Sequence, residues 1–182
     1  MIVEKHWLWT HPAEPSLAVD GIDFSFERRS ATGLQLRYEV KGRIGEIILP
    51  ERAAPLRTNA LWERTCFELF LRPAELTGYR ELNFSPSSQW AAYDFSAHRT
   101  GMVQAALPAP PVIEATAGPD RLTVDVSISL DLPDEPYLMA AAAVIEEAWG
   151  GKSLWALSHA GGAPDFHHPS CFTLELPAAR PA

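Results

Sequence analysis

The stretch from Leu61 to Phe95, LWERTCFELFLRPAELTGYRELNFSPSSQWAAYDF, limits what this chain can fold into more than any other part of it. Residues 66–72 alternate, with Phe67, Leu69 and Leu71 on one side and Cys66, Glu68 and Phe70 on the other, the period of two that marks a half-buried strand. PAELTG at 73–78 opens on proline and closes on glycine, as a turn does. YRELNFS then resumes the alternation, with Leu82 and Phe84 against Glu81 and Asn83. PSSQ at 86–89 marks a second turn, and WAAYDF a third strand. Such a stretch makes an antiparallel meander.

Register follows from parity, because opposed residues share a face and a one-residue slip exchanges the faces. Pairing Leu69 with Leu82 sets Phe67 beside Phe84 and Glu68 beside Asn83, and pairing Leu82 with Tyr93 sets Glu81 beside Asp94. One face is then apolar: Phe67, Leu69, Leu71, Leu82, Phe84, Tyr93 and Phe95. The other carries Glu68, Phe70, Glu81, Asn83, Trp90 and Asp94, carboxylates and an amide among aromatic rings. A solvated outer face seldom includes such rings. Rings offer a flat apolar surface to the C–H face of a sugar, and carboxylates and amides bind its hydroxyls. This face, with Trp62 and Arg99 flanking it, is the candidate site for a carbohydrate or related polyol.

The remaining chain reads as further strands. IVEKHWLW (2–9), DFSFERR, LQLRYEVKG and Ile44–Leu49 precede the central stretch, and a polar link, PERAAPLRTNA, leads into it. Prolines between 108 and 111 argue against a long helix after Phe95. Leu122, Val124, Val126, Ile128 and Leu130 give the cleanest alternation in the chain. YLMAAAAVIEEAWGG is helical by local propensity, but it lies among strands and is read as mostly strand. SLWALSH and SCFTLEL close the count. About ten strands without a βαβ rhythm predict a single all-β domain, an antiparallel β-sandwich of jelly-roll or immunoglobulin-like type.

At 182 residues the chain can bury a full core without staples. A net charge of −8, with Lys and Arg scattered, excludes electrostatic binding to nucleic acid or to an anionic membrane surface. No apolar run follows a basic start at the N-terminus, and no segment approaches the ~20 apolar residues of a membrane span, so a cytoplasmic protein is expected. In that compartment Cys66 and Cys171 are expected to be free.

Other readings have weaker support, among them a protein-interaction domain whose polar face stays empty. Glu68, Glu81 and Asp94 could include an acid/base pair for glycoside hydrolysis, but no second signature accompanies them. Calcium could use the same oxygens, without the regular Asp/Asn-rich loop. His98, His159, His167 and His168 suggest metal ligation without a definite third ligand for zinc, and Met102 with His159 is the pair to test for haem. Ser158 and Ser170 lack a nucleophile elbow. No cofactor is required by these patterns.

The segments LWERTCFELFL, YRELNFSPSSQWAAYDF and WALSHAGGAPDFHHPSCFTLEL together resemble the DOMON-like superfamily, particularly bacterial single-domain members related to family-nine carbohydrate-binding modules. The resemblance implies a jelly-roll sandwich and a non-catalytic module. Relatives bind sugars, often between aromatic rings, or haem through Met and His. It also implies that Glu68 and Asn83 sit where family members place polar groups on a strand face, with Trp90 just beyond. Thr65 and Cys66 stand where the sugar-binding modules often carry acidic residues.

Overall fold

The alternating stretches become antiparallel strands in the structure, a computed structural model that describes residues 4–133 and 135–178. The strands are β1 (His6–Thr10), β2 (Val19–Arg28), β3 (Gly33–Gly42), β4 (Cys66–Pro73), β5 (Tyr79–Phe84) and β6 (Trp90–Phe95). They continue with β7 (Val103–Gln104), β8 (Val112–Ala117), β9 (Arg121–Ser129), β10 (Tyr137–Glu146), β11 (Lys152–Ala156) and β12 (Leu174–Leu176). Residues 2–3 of the first expected strand lie outside the described residues.

All twelve belong to one sheet, in the order β7-β6-β5-β4-β10-β11-β1-β2-β3-β9-β8, with β12 also paired to β10. The all-β, antiparallel expectation holds. In place of two separate sheets stacked as a sandwich, the ladder is continuous. β1 pairs through Trp9 and Thr10 with β11 and through His6, Trp7 and Leu8 with β2, so it links the two halves. The sheet curls into a half-barrel, and its concave side is the core. There Phe24, Tyr38, Val124 and Val126 of one half meet Phe67, Leu69, Leu82 and Phe84 of the other. The Tyr38 ring lies 5.0 Å from Phe67, and its hydroxyl donates to the Glu68 carbonyl at 2.8 Å.

The alanine-rich segment is strand, as read. Ala141 and Ala143 stand opposite Leu69 and Phe67 on the core side, while Ala140 and Ala142 stand beside Phe70 and Glu68 on the outer side. Burial on both faces overrides their helical propensity. Ile44–Leu49 is not a strand: Ile44–Glu46 forms a 3₁₀ turn and only Ile47 bridges, to Glu147. Gly42 ends the preceding strand at φ 147°, where a Cβ would come within 2.3 Å of the Ala18 carbonyl oxygen. β8 was hidden behind its prolines. Pro111 precedes it, and β8 is an edge strand, the place in a sheet where a missing N–H is tolerated.

The expected pairing of β4 with β5 is observed, including Phe67 with Phe84, Leu69 with Leu82 and Glu68 with Asn83. The pairing of β5 with β6 is shifted by one: Leu82 faces Ala92, Glu81 faces Tyr93 and Phe84 faces Trp90. The turn is the cause. Ser85 N–H bonds to the Gln89 carbonyl at 2.9 Å, which closes a loop of Pro86, Ser87 and Ser88. Ser88 takes the left-handed conformation, φ 84°, that such three-residue loops need. A four-residue PSSQ turn would have given the other parity. Trp90 therefore lies on the core side, and Tyr93 and Phe95 move to the outer side. Asp94 also leaves the outer face. It pairs with Arg80 across the ladder at 2.7 and 2.8 Å, at a sheet margin where its side chain stays 43% exposed.

Trp90 is 7% exposed, donates its indole N–H to the Pro55 carbonyl at 3.3 Å and lies under the Arg57 guanidinium at 4.4 Å. Trp90→Ala should thus destabilise the protein by about 3–5 kcal/mol in urea unfolding. A variant of wild-type stability would return Trp90 to the outer face.

Candidate functional site

The outer faces of the two halves differ in what covers them. On β2, β3 and β9 the outer side carries charges paired in the open, such as Arg37 with Asp125 at 2.7 Å and Lys41 with Asp23 at 2.7 Å. On β4, β5, β6 and β10 it is roofed by chain segments between strands. Phe166, Cys171 and Phe172 pack on Phe70, Tyr79, Phe95, Ala140 and Ala142, and the small alanines leave room for them. The Glu68 and Glu81 side chains are consequently buried, with their residues 3% and 5% exposed. They do not form part of a solvated face.

The roof is incomplete, and through the gap opens a cleft of about 510 Å³. Glu68, Glu81, Phe95, Val144 and Leu154 form its floor, and Lys152 stands at one side. Trp62, from the 3₁₀ turn Leu61–Glu63, makes one wall; its indole is 39% exposed and meets Tyr93 edge to face at 6.0 Å. Arg99 and Met102, between β6 and β7, and Pro164, Phe166 and His167, between β11 and β12, make the others.

Asp165 fastens these last two segments together. Its carboxylate accepts from His98 Nε2 at 2.7 Å, Arg99 Nε at 3.0 Å and the His167 backbone N–H at 3.1 Å. Burial alone would raise the Asp165 pKa, but the bonds from His98 and Arg99 outweigh it and hold the carboxyl below its ordinary range. Arg99 takes a left-handed backbone, φ 51°, and its N–H donates to the Tyr79 hydroxyl at 3.2 Å. With that oxygen accepting, the Tyr79 proton is free for His167 Nδ1, 2.7 Å away. Burial, then the charge of Arg99, lowers the His167 pKa to about 4, so the ring is neutral at physiological pH. The same bond assigns the remaining proton to Nε2, 3.6 Å from Glu81 Oε2.

Both floor carboxyls are shifted upward. Burial raises Glu81, partly opposed by the Asn83 Nδ2 bond to Glu81 Oε1 at 2.8 Å and by Arg99. Burial and then the neighbouring Glu81 push Glu68 well above its usual range, which favours its neutral acid. No described group hydrogen-bonds the Glu68 carboxyl. The buried Asn83 Oδ1, on the residue directly opposite, also lacks a donor. The floor therefore offers two carboxyls and an imidazole N–H beside apolar walls, which suits a ligand rich in hydroxyl groups.

Of the residues expected from sequence, Glu68, Glu81, Arg99 and Trp62 line the cleft, and Asn83 supports Glu81 from beneath. Phe70 shares the outer face but is fully buried under Tyr79, His167 and Phe172. Trp90 and Asp94 project from the opposite face. Met102 is at the cleft's rim. His159 does not line the cleft; its Nε2 is held by the Trp9 carbonyl at 2.7 Å, so the two do not meet as a haem-ligating pair there. Among the described residues no three His, Cys, Asp or Glu side chains gather as a metal site would require. Both cysteines are free and buried. Phe166 and Phe95 were missed as site residues. Phe95 followed the one-residue parity error, and Phe166 lies in a Gly/Pro/His loop with no periodicity.

No protein-family model matches the chain, and no curated protein matches it in sequence. Its fold is similar to that of a carbohydrate-binding-protein candidate from Bacteroides uniformis, with TM-score 0.72 and 16% identity, covering 96% of this chain and 86% of that one. It is also similar to a family-nine carbohydrate-binding module from Caldicellulosiruptor kristjanssonii in complex with cellotriose, with TM-score 0.60 and 14% identity, covering 98% and 84% of the two chains. A glucose complex of a family-nine module from the same organism has TM-score 0.51 and 12% identity, covering 88% and 76%. At these identities the likeness is one of fold. No helix among the described residues is long and apolar enough to cross a membrane.

The Glu68 shift has a consequence for stability. Folding raises its pKa above the unfolded value of about 4.3, so as pH rises the unfolded chain gives up this proton first and stability falls. Glu68→Gln removes that contribution. The variant's stability relative to wild type should therefore rise as the pH increases above about 4 in urea titrations. A constant or shrinking difference would show that Glu68 ionises as freely in the folded protein as in the unfolded chain.

Proposed function

We propose that the protein is a non-catalytic carbohydrate-binding module and that the outer cleft is its binding site. The observation that carries this reading is the Glu68 carboxyl, which no described side chain or backbone group hydrogen-bonds and which opens onto the floor of a cleft with aromatic walls. A ligand hydroxyl supplies the missing partner. Trp62 and Phe166 offer ring surfaces for a pyranose, and Glu81, His167 Nε2 and Arg99 complete a set of acceptors and donors. The fold neighbours support the same reading, since two are family-nine modules described with cellotriose and with glucose. Relation to family nine, and more widely to DOMON-like domains, is part of this proposal. A water-soluble setting agrees with the acidic charge, and the site needs no cofactor to bind a sugar.

The paired, upward-shifted carboxyls favour one second reading, glycoside hydrolysis, in which the neutral Glu68 would be the acid and Glu81 the base or nucleophile. Release of a chromophore from aryl glycosides, lost in Glu68→Gln, would establish it in place of simple binding.

Titration calorimetry against glucose, cellobiose and a panel of other sugars tests the main reading. Trp62→Ala should weaken the responding sugar at least tenfold, about 1.4 kcal/mol, and leave the urea midpoint near wild type, because Trp62 belongs to neither buried cluster of the core. Saturable binding unchanged in Trp62→Ala and Glu81→Gln would place the ligand elsewhere.

A further inference from the structure

A smaller depression of about 270 Å³ lies beyond Trp62. It shares Trp62 and Met102 with the main cleft, so the two hollows are separated only by that rim. Tyr93 connects them. Its residue stands opposite Glu81 on the floor of the main cleft, its ring meets Trp62 edge to face, and its hydroxyl donates to Asn59 Oδ1 at 2.9 Å in the second hollow.

The lining of this hollow carries no charged side chain and includes two amides, Asn59 and Gln104. Asn59 Oδ1 also accepts from Gln104 Nε2 at 3.5 Å. Both bonds use Asn59 Oδ1, so the Asn59 Nδ2 donor and the Gln104 Oε1 acceptor make no hydrogen bond among the described residues. The lining of the hollow thus holds an open donor and an open acceptor. Beside them are exposed apolar surfaces: Met102 is 54% and Val103 60% exposed. Neutral amides next to apolar and aromatic surface suit another uncharged polyhydroxy ring, and they hold no charge to pair with a phosphate or a charged peptide terminus.

We propose that this hollow is a second sugar subsite, and that the ligand is an oligosaccharide of at least two units whose chain crosses the rim formed by Trp62 and Met102. The inner unit sits over Glu68 and Glu81, and the outer one lies against Asn59 and Gln104. Trp62 then serves both units, one on each side of the indole. This proposal rests on the carbohydrate reading of the main cleft.

The test compares a monosaccharide with its disaccharide and trisaccharide by calorimetry on the full chain, beginning with glucose, cellobiose and cellotriose. Gln104→Ala is the main variant, because Gln104 lies on an exposed edge strand and does not support the core. Asn59→Ala, checked by its melting temperature, is the second. The disaccharide should bind wild type at least tenfold more tightly than the monosaccharide. Both variants should reduce that advantage severalfold and leave monosaccharide affinity within about twofold of wild type. Equal affinity of wild type for the two sugars overturns the second subsite and leaves the main cleft standing, as does a variant that weakens both sugars alike. Absence of binding by any sugar overturns the carbohydrate reading itself, and this subsite with it.

Discussion

Desolvation of the outer side of β4 governs the rest of this structure. Every residue from Cys66 to Leu71 is at most 3% exposed, although only alternate ones face the core. In an ordinary half-buried strand the outer residues meet water, and a glutamate there costs nothing. Here segments between strands cover that side, so Glu68 and Glu81 are placed where their charged forms are unfavourable. Asn83 and Arg99 offset this for Glu81. For Glu68 the charge of Arg99 does so only in part, and its carboxyl stays open to the cleft.

The cover is also what gives the cleft a fixed shape. Asp165 holds the segment carrying Arg99 to the segment carrying His167, and Tyr79 bridges the Arg99 backbone and the His167 ring. Two loops that would otherwise move independently are tied at their tips. Ordering them in advance lowers the entropy lost when a ligand binds. It also determines which imidazole nitrogen faces Glu81, a matter of tautomer that follows from a tyrosine on the sheet. The left-handed Arg99 is the local strain that accompanies this arrangement.

Much of this was legible in the alternation. The period of two placed Glu68, Glu81 and Asn83 on one face and Phe67, Leu69, Leu82 and Phe84 on the other, and it identified the alanine-rich segment as strand from its neighbours. What it missed depended on geometry that patterns do not encode. A single left-handed serine, Ser88, set the parity of β6, and so exchanged Trp90 and Asp94 for Tyr93 and Phe95. The rule that carboxylates avoid the core side failed for Asp94 because Arg80 stands opposite at an exposed margin. Phe166 and His167 enter the site from a loop whose glycines and prolines announce only a loop. The closure of one sheet through β1 rests on pairings far apart in sequence, which local periodicity does not report.

The most direct test of the carboxyl-floored cleft is carbon-detected NMR of protein labelled at glutamate side-chain carboxyls, titrated with sugars beginning with cellobiose. Glu68 and Glu81 should shift together and saturably, while exposed glutamates such as Glu14 and Glu51 stay in place. Saturable binding that moves other carboxyls and leaves Glu68 and Glu81 untouched would contradict the assignment of this cleft as the site.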